Sequence, residues 1–472
     1  MENNRRKFIK NLGLSAGLLA LDLPAFAATD EEIECSARRS QAAPGFNMSG
    51  YSAPKMDVVR IGFIGLGKRG KGAINRYRFI KEVEIKCLCD RHQDNVDTSQ
   101  KILSAAGLSK ADEYVGDDAW KKMCERKDLD LIYICTPWSL HTPMAVVAMN
   151  AGKHAAVEVP AAVTLDECWK LVETSERTRK HCMMLENCCY DFFELATLNM
   201  ARAGVFGELV HAEAAYIHDL LESNLQKNGY DKMWRLNENA NRNGNLYPTH
   251  GLGPVAQCLN INRGDIMGTL VSMSSNDFMM HDKAVELAKS DSFYQPYTKK
   301  YFRGNMNTSV IKTQKGKTIM IQHDVTSPRP YSRIHLISGT KGIARKYPEP
   351  GRISFGHEWM KPAEQDEMME KYKPEIIKHI GEMAKKVGGH GGMDFMMDWR
   401  LIDCLRNGLP LDQDVYDAAA WSAVGMMSER SVAKKSAPVE IPDFTRGNWK
   451  ANKPVDLTLN GGATTTMRKL GA

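Results

Sequence analysis

The chain has 472 residues, 43% of them apolar, which is enough for two domains with real hydrophobic cores and too apolar for a largely disordered chain. Its formal net charge is only +6, its basic residues are interspersed with acids, and no long Lys/Arg run occurs, so nucleic acid is excluded as an expected partner. The 11 cysteines, an odd number without C-x-x-C spacing, fit neither a regular disulfide framework nor a structural zinc site, and no metal ligand set is expected.

The first ten residues carry Arg5-Arg6-Lys7-Phe8-Ile9-Lys10; an apolar stretch from Leu12 to Leu23 and Pro24-Ala25-Phe26-Ala27 follow. A charged head, a short apolar core and an A-x-A end read as a signal peptide over residues 1–27, cleaved after Ala27. The arginine pair fits the twin-arginine (Tat) route, which exports folded protein to the periplasm. An amphipathic first helix is the alternative. The apolar core is short for a membrane span, and no later segment is apolar enough for one. Residues 28–56 lack helix or strand periodicity, contain Pro44, Gly45, Gly50 and Pro54, and read as a leader arm laid over the domain.

Residues 57–184 read as a Rossmann domain. The β-branched run Val58 to Ile64 predicts a buried strand, and Gly65-Leu66-Gly67-Lys68-Arg69-Gly70 follows at once, before a segment that can be helical. In this G-x-G-x-x-G pattern Gly65 permits the tight turn, Gly67 lets the backbone approach a pyrophosphate, and Gly70 lets the helix pack on the strand. Lys68 and Arg69 lie within the same loop, and amides at the helix start face the phosphates. The next strand, Val83 to Asp90, ends in an acid about 20 residues beyond the glycines, where a carboxylate takes the ribose hydroxyls of NAD and repels a 2′-phosphate. Arg91 weakens that preference for NAD over NADP slightly. A strand-end cap is the alternative role for Asp90. A third strand, Leu129 to Cys135, delivers Trp138-Ser139-Leu140-His141 to its carboxyl end, where open α/β sheets bind ligands. A helix and a last strand into Glu158-Val159-Pro160 complete an alternating, parallel α/β sheet.

The fingerprint, the Cys135-Thr136-Pro137 turn with His141, and the Ala151-Gly152-Lys153-His154 strand ending at Glu158 and Pro160 together resemble the glucose–fructose oxidoreductase/inositol dehydrogenase superfamily. That resemblance implies a C-terminal α/β domain over 185–472 with an open, mostly antiparallel sheet, forming the far wall of the active site and often pairing two copies as a homo-oligomer. One departure matters. Where the ordinary dehydrogenases carry Glu-Lys-Pro, this chain has Val159 between Glu158 and Pro160, and valine can neither donate nor accept the proton of an alcohol under oxidation. The finer details resemble glycoside hydrolase family 109, characterised as α-N-acetylgalactosaminidase. They are the Tat leader, Tyr51-Ser52-Ala53-Pro54, Gly65 to Gly70, Glu158-Val159-Pro160, and Glu186-Asn187-Cys188-Cys189-Tyr190. Further along come Trp234-Arg235, Asn245 to Pro254, and Gly388-Gly389-His390-Gly391-Gly392-Met393-Asp394.

Within the second domain, Leu209 to His218 alternates as a half-buried strand. If Ala215 and Ile217 face the helices, Tyr216 and His218 share the opposite face with Ala212 and can project into the cleft. Arg235 lies in a polar, helix-poor stretch, where its planar fork suits several sugar hydroxyls or an acetamido carbonyl. Asn245 to Pro254, with Tyr247, Pro248, Thr249 and His250, reads as a loop leading into a helix and a place for chemistry rather than core. The glycines around His390 bring backbone close to a sugar or anion, or else start a helix capped near Asp394. Tyr331 stacks on a sugar ring or packs a turn. Leu411 to Lys434 has helical spacing, with Trp421, Met426 and Met427 as core.

The family resemblance implies a bound NAD and a carbohydrate substrate. Hydride is withdrawn from sugar C3, a base takes the acidified C2 proton, the glycosidic oxygen leaves C1, water adds, and the hydride returns. His250 and Tyr190 are expected at the proton transfers, with Glu158 near the nicotinamide. Trp138, Ser139, Leu140, His141, Val159, Asn187 and Tyr247 are expected to line the cofactor. Tyr216, Arg235, Tyr247, Pro248, Thr249, His250, Tyr331 and His390 are expected on the sugar. Two other readings compete: a periplasmic sugar oxidoreductase with net redox change, which Val159 opposes, and a non-catalytic sugar-binding protein, which the intact glycines and Asp90 oppose.

Overall fold

A computed structural model describes residues 27–469. The expected signal peptide, residues 1–27, lies outside the described residues except for Ala27. The next segment corrects the sequence reading. The arm contains a helix, α1 (Asp30–Gln41), whose cap residue Thr29 accepts from the Glu32 amide while Glu32 caps the Thr29 amide in return. Acids fill its first turn and Arg38 and Arg39 its last, which favours the helix dipole. An apolar stripe is missing, so periodicity gave no signal; Ser36 instead bonds the indole of Trp169 at 2.6 Å.

The first sheet is parallel throughout, with order β3-β2-β1-β4-β5-β6. Its strands are β1 (Val59–Ile64), β2 (Val83–Asp90), β3 (Asp112–Val115), β4 (Leu131–Ile134), β5 (His154–Val157) and β6 (Cys182–Met184). The apolar runs that predicted β1 and β4 are buried on both faces, as crossover helices demand. These include α2 (Lys68–Tyr77), α3 (His141–Asn150) and α4 (Leu165–Thr178). The strand order reverses between β1 and β4, so their carboxyl ends open a crevice.

The second sheet has eight strands, mostly antiparallel, in the order β13-β12-β11-β7-β10-β9-β8-β14. They are β7 (Leu209–Ile217), β8 (Met267–Ser274), β9 (Met306–Thr313), β10 (Thr318–Asp324), β11 (Leu336–Gly339), β12 (Ile343–Arg345), β13 (Arg352–Ser354) and β14 (Val439–Glu440). Only β7 and β10 run parallel. The helices that matter for the cleft are α5 (Phe192–Arg202), α6 (Trp234–Asn241), α7 (Thr249–Cys258), α8 (Glu375–Val387), α9 (Met393–Asn407) and α10 (Val415–Ala433). Helix α10 fulfils the expectation for Leu411 to Lys434: Trp421, Met426 and Met427 are buried between the two sheets. It is apolar nearly all round, as a helix covered on every side must be. None of the 11 cysteines is paired, and most are buried as small apolar groups. No helix among the described residues is long and apolar enough to cross a membrane.

Candidate active site between the two sheets

The dinucleotide cradle forms where the fingerprint predicts. Gly65 has φ +85° and a Cβ there would lie 2.7 Å from the Cys135 carbonyl. A Cβ on Gly70 would lie 2.0 Å from the Gly65 oxygen, whereas one on Gly67 would meet nothing. Gly67 caps α2 without a side-chain acceptor, so the first amides of that helix face open space. Orphan amides at a positive helix end over an open glycine fit a pyrophosphate. Asp90 ends β2 and accepts from the Leu66 and His92 amides and from Asn95, which leaves a fourth acceptor direction for a ribose hydroxyl. Lys68, Ser139 and Leu140 are exposed beside this crevice.

At the other end of the crevice the structure brings together Trp138, Tyr216, Tyr247 and His250. Trp138 stacks on Tyr247 at 5.6 Å, and Tyr247 lies 4.7 Å from Tyr216 and 4.8 Å from His250, ring to ring. Here the predicted loop is a helix from Thr249 onward, with Pro248 as its cap and His250 in the first turn of α7. Two glycines explain the approach. A Cβ on Gly251 would lie 2.4 Å from the Ala215 amide nitrogen, and one on Gly253 would meet Glu186 and Cys189 at 2.9 Å. So α7 presses on β7 from one side and on Glu186 from the other. The strand-face assignment is corrected by the same contacts: Tyr216 shares the buried, helix-covered face with Ala212 and Ala214, and the cleft lies on that face.

His250 Nδ1 sits 2.8 and 2.9 Å from the two carboxylate oxygens of Glu186. Glu186 is wholly buried just beyond β6, at the carboxyl end of a parallel strand. Burial pushes its carboxyl up, but His250 and the donors around it outweigh burial, and Glu186 lies below its usual range. A buried carboxylate on Nδ1 fixes the tautomer and leaves Nε2 toward the cleft, the arrangement of an oriented general base. In the sequence Glu186 stands out only as part of the Glu186–Tyr190 motif; its position directly after an apolar strand is the signal for a role in the site. Cys188 brings its sulfur within 4.8 Å of the same ligand-type atoms. Burial pushes the Cys188 thiol well up, so it packs as a neutral group beside the pair.

Arg235 stands in helix α6 rather than in a helix-poor stretch. Its guanidinium lies 5.2 Å from the Tyr247 ring, 5.5 Å from Tyr230 and 5.6 Å from Trp138, and it donates to the Tyr230 hydroxyl at 2.9 Å. Its polar neighbours among the described residues are the hydroxyls of Tyr216, Tyr230 and Tyr247 rather than a carboxylate. A cation seated in aromatic rings with donors to spare suits a neutral acceptor such as a hydroxyl or an amide carbonyl. The Tyr216 hydroxyl and His218 Nδ1 lie 3.1 Å apart in a hydrogen bond, and Tyr331 rests 5.1 Å from His218 and accepts from Arg333. Burial pushes the hydroxyls of Tyr216, Tyr247 and Tyr331 up, so all three stay protonated at neutral pH.

The Rossmann wall is organised by charge. Arg69 leaves the fingerprint loop to fork onto Glu158, with contacts of 2.7 and 2.8 Å, and also reaches Asp394 at 3.1 Å. Arg69 thereby links Glu158 to the C-terminal domain. Asn187 is buried and donates to Asp394 at 2.5 Å. Two further expectations are displaced. Tyr190 is buried away from the cleft, its hydroxyl on Asp412, which is already held by Arg400; a proton relay there would need that ion pair to part. Both nitrogens of His141 lie 2.7 Å from the backbone carbonyls of Thr136 and Pro160, so it staples two site loops instead of facing a ligand. Val159 is buried and offers no proton beside Glu158.

Residues 190–451 match the family model described as "Glycosyl hydrolase 109, C-terminal domain". Residues 59–186 match "Oxidoreductase family, NAD-binding Rossmann fold". An alpha-N-acetylgalactosaminidase of Bacteroides fragilis is 53% identical over 407 residues, covering 85% of this chain and 95% of its own. Glycosyl hydrolase family 109 protein 1 of the same species is 48% identical over 468 residues, covering 95% and 98%. Among solved structures, a levoglucosan dehydrogenase in complex with NADH and L-sorbose superposes with a TM-score of 0.60 at 15% identity, over 82% of this chain and 99% of that one. At that identity it attests the fold alone.

Proposed function

Because the chain belongs to glycosyl hydrolase family 109, we propose that it removes terminal α-N-acetylgalactosamine, or a closely related amino sugar, from carbohydrate. It is an NAD-dependent glycosidase, and the single observation that carries the catalytic reading is the buried Glu186–His250 pair opening onto the aromatic cleft. When bound, NAD supplies a reversible hydride acceptor for the sugar's C3 hydrogen. His250 Nε2, backed by Glu186, takes the C2 proton. Tyr216, Tyr247 and Tyr331 present hydroxyl donors, and Arg235 holds the acetamido or hydroxyl oxygen against the ring wall. Glu158, fixed by Arg69, orients the groups at the Rossmann side. Val159 leaves no lysine to support simple alcohol oxidation, which counts against net redox chemistry. A panel of α- and β-linked nitrophenyl sugars in deuterated water tests this. Phenol release with deuterium at C2 of the product is expected. Net reduction of NAD without phenol release would overturn it.

The leader residues Arg5-Arg6 and Ala25-Phe26-Ala27 support export by the twin-arginine route to the periplasm. Replacing both arginines by lysine is expected to retain the protein inside the cell. The outer face of the second sheet supports a homodimer. Register aligns Met320 with Val310 and Val310 with Val271, with Met273 beside them, and Val271, Met273 and Val310 are solvent-exposed. An apolar patch of this kind on an open sheet face is an association surface. V310E is expected to convert a dimer to a monomer in light scattering.

A further inference from the structure

The ribose end of the cradle is joined to the second domain by charge. The residue after Asp90 is Arg91, a cation at the place where dinucleotide folds that accept a 2′-phosphate carry one. A free guanidinium there would grip a phosphate through two parallel N–H donors and offset the repulsion from Asp90. In this chain both terminal nitrogens of Arg91 are engaged. Nη2 donates to the two oxygens of Asp117 at 2.9 and 3.0 Å, and Nη1 donates to Asp231 at 3.1 Å. The other oxygen of Asp231 lies 3.3 Å from His92 Nε2, so one carboxylate spans both residues that follow the ribose acid.

The fold brings these two carboxylates from opposite directions. Strands β2 and β3 run parallel with Asp90 opposite Val115, and the Gly116 amide donates to the Asp90 carbonyl at 3.1 Å. Gly116 turns there with φ +124°, a conformation that glycine adopts at little cost, and Asp117 follows beside Arg91. Asp231 arrives from the second domain. It opens the single turn before α6, in which Lys232 and Met233 are both left-handed, at φ +50° and +52°. Adjacent non-glycine residues keep that backbone only where their surroundings over-determine it. Here Met233 is buried, its amide donates to the Tyr230 carbonyl at 2.9 Å, and Trp234 packs edge-on against Trp138 at 5.2 Å. The segment therefore meets the Rossmann domain twice, at Arg91 on the ribose side of the crevice and at Trp138 on the aromatic side.

We propose that Asp117 and Asp231 select NAD over NADP by occupying Arg91, so that the second domain takes part in choosing the cofactor. A 2′-phosphate at Asp90 meets a guanidinium whose terminal donors point at other carboxylates. To use Arg91 it must displace both, and it feels their charge as well. The preference for NAD then rests on three carboxylates rather than on Asp90 alone, and Arg91 does not weaken it. The other cation on this rim is Lys71, whose ammonium donates to Asn95, which in turn donates to Asp90. The assignment concerns the cofactor and holds for any sugar in the cleft. The side chains of Arg91, Asp231 and Asp117 are 33%, 40% and 71% exposed, so solvent screens the pairs and each single effect is small.

The test identifies by chromatography the dinucleotide released on denaturing purified holoenzyme, first as isolated and again after incubation with equal NAD and NADP at low salt. The wild type is expected to release NAD. D117N, a change at an exposed side chain, is expected to raise the ratio of NADP to NAD by roughly 3-fold and D117N/D231N by roughly 10-fold. Salt at about 1 M is expected to shrink both changes. R91M alone is expected to leave the ratio where it is, and R91M/D117N/D231N is expected to return it to the wild-type value. An unchanged ratio in both D117N and D117N/D231N overturns the assignment, as does NADP uptake that persists once Arg91 is gone, which would belong to Lys71. A wild type that takes NADP as readily as NAD overturns it too, and each of these leaves NAD dependence intact. A wild type that releases no dinucleotide before or after incubation overturns both.

Discussion

Two groups of histidines sit at opposite ends of the same parallel sheet and have opposite character. At the carboxyl ends of the strands, His250 meets Glu186 and His390 meets Asp394, each with one nitrogen on a buried carboxylate. At the amino ends of β5 and β6, His154 and His181 are buried against one another and Tyr51. His154 Nδ1 accepts the His181 amide, and both Nε2 atoms lack a partner. Burial is the first cause lowering both, and His181 comes down to about 4. The difference teaches that a histidine's chemistry is set by its carboxylate and its access, and that the sheet puts both at one end.

The largest consequence concerns the paired end. E186Q or H250N is expected to lower kcat on a nitrophenyl substrate by about 10²–10⁴, the worth of one positioned acid–base group, with the circular dichroism spectrum unchanged. H181Q should leave kcat alone. If it falls as far as E186Q, the contrast between the two ends is wrong.

The unpaired end should appear in stability instead. A histidine lowered on folding takes up its proton more readily when unfolded. Its contribution is therefore whole above pH 6.5 and is lost as pH falls from there through about 4. That is at most about 3.5 kcal/mol for His181 at roughly 1.4 kcal/mol per pH unit. Urea denaturation between pH 7 and pH 4 should show a shallower loss in H181Q than in the wild type.

A smaller effect is expected where a cation, not a histidine, holds the sugar. R235M keeps the side-chain stem over Tyr247 but removes the donors. A charged hydrogen bond is worth about 1.5–3 kcal/mol. So kcat/KM should drop by roughly 10- to 100-fold while the acid stability profile stays that of the wild type.

Much of the Rossmann half was legible because its signals are local. Gly65, Gly67 and Gly70 do their work within six residues, and Asp90 ends its own strand. The C-terminal half was legible mainly through its likeness to a family. His250, Tyr216 and Arg235 were named, but their settings were not: a helix stands where a loop and a helix-poor stretch were expected, and Tyr216 faces the helices. The misses share one cause. Tyr190 and Asp412 lie 222 residues apart, and Arg69 and Asp394 lie 325 apart. Nothing local tells a tyrosine or an arginine which distant carboxylate will claim it. Helix α1 was missed for the opposite reason, since its capping box was readable but no apolar stripe drew attention to it.

By itself, then, the amino-acid order determined the dinucleotide cradle, the parallel sheet and the strand that ends at Asp90, because glycine conformational freedom and β-branched burial act over a few neighbouring residues. Only the tertiary structure decided which carboxylate stands behind which histidine, and that Arg69 serves Glu158 and Asp394. Those pairings depend on the approach of α7 and α9 to the sheets, permitted by glycines whose missing Cβ atoms matter only against a partner far away in the chain.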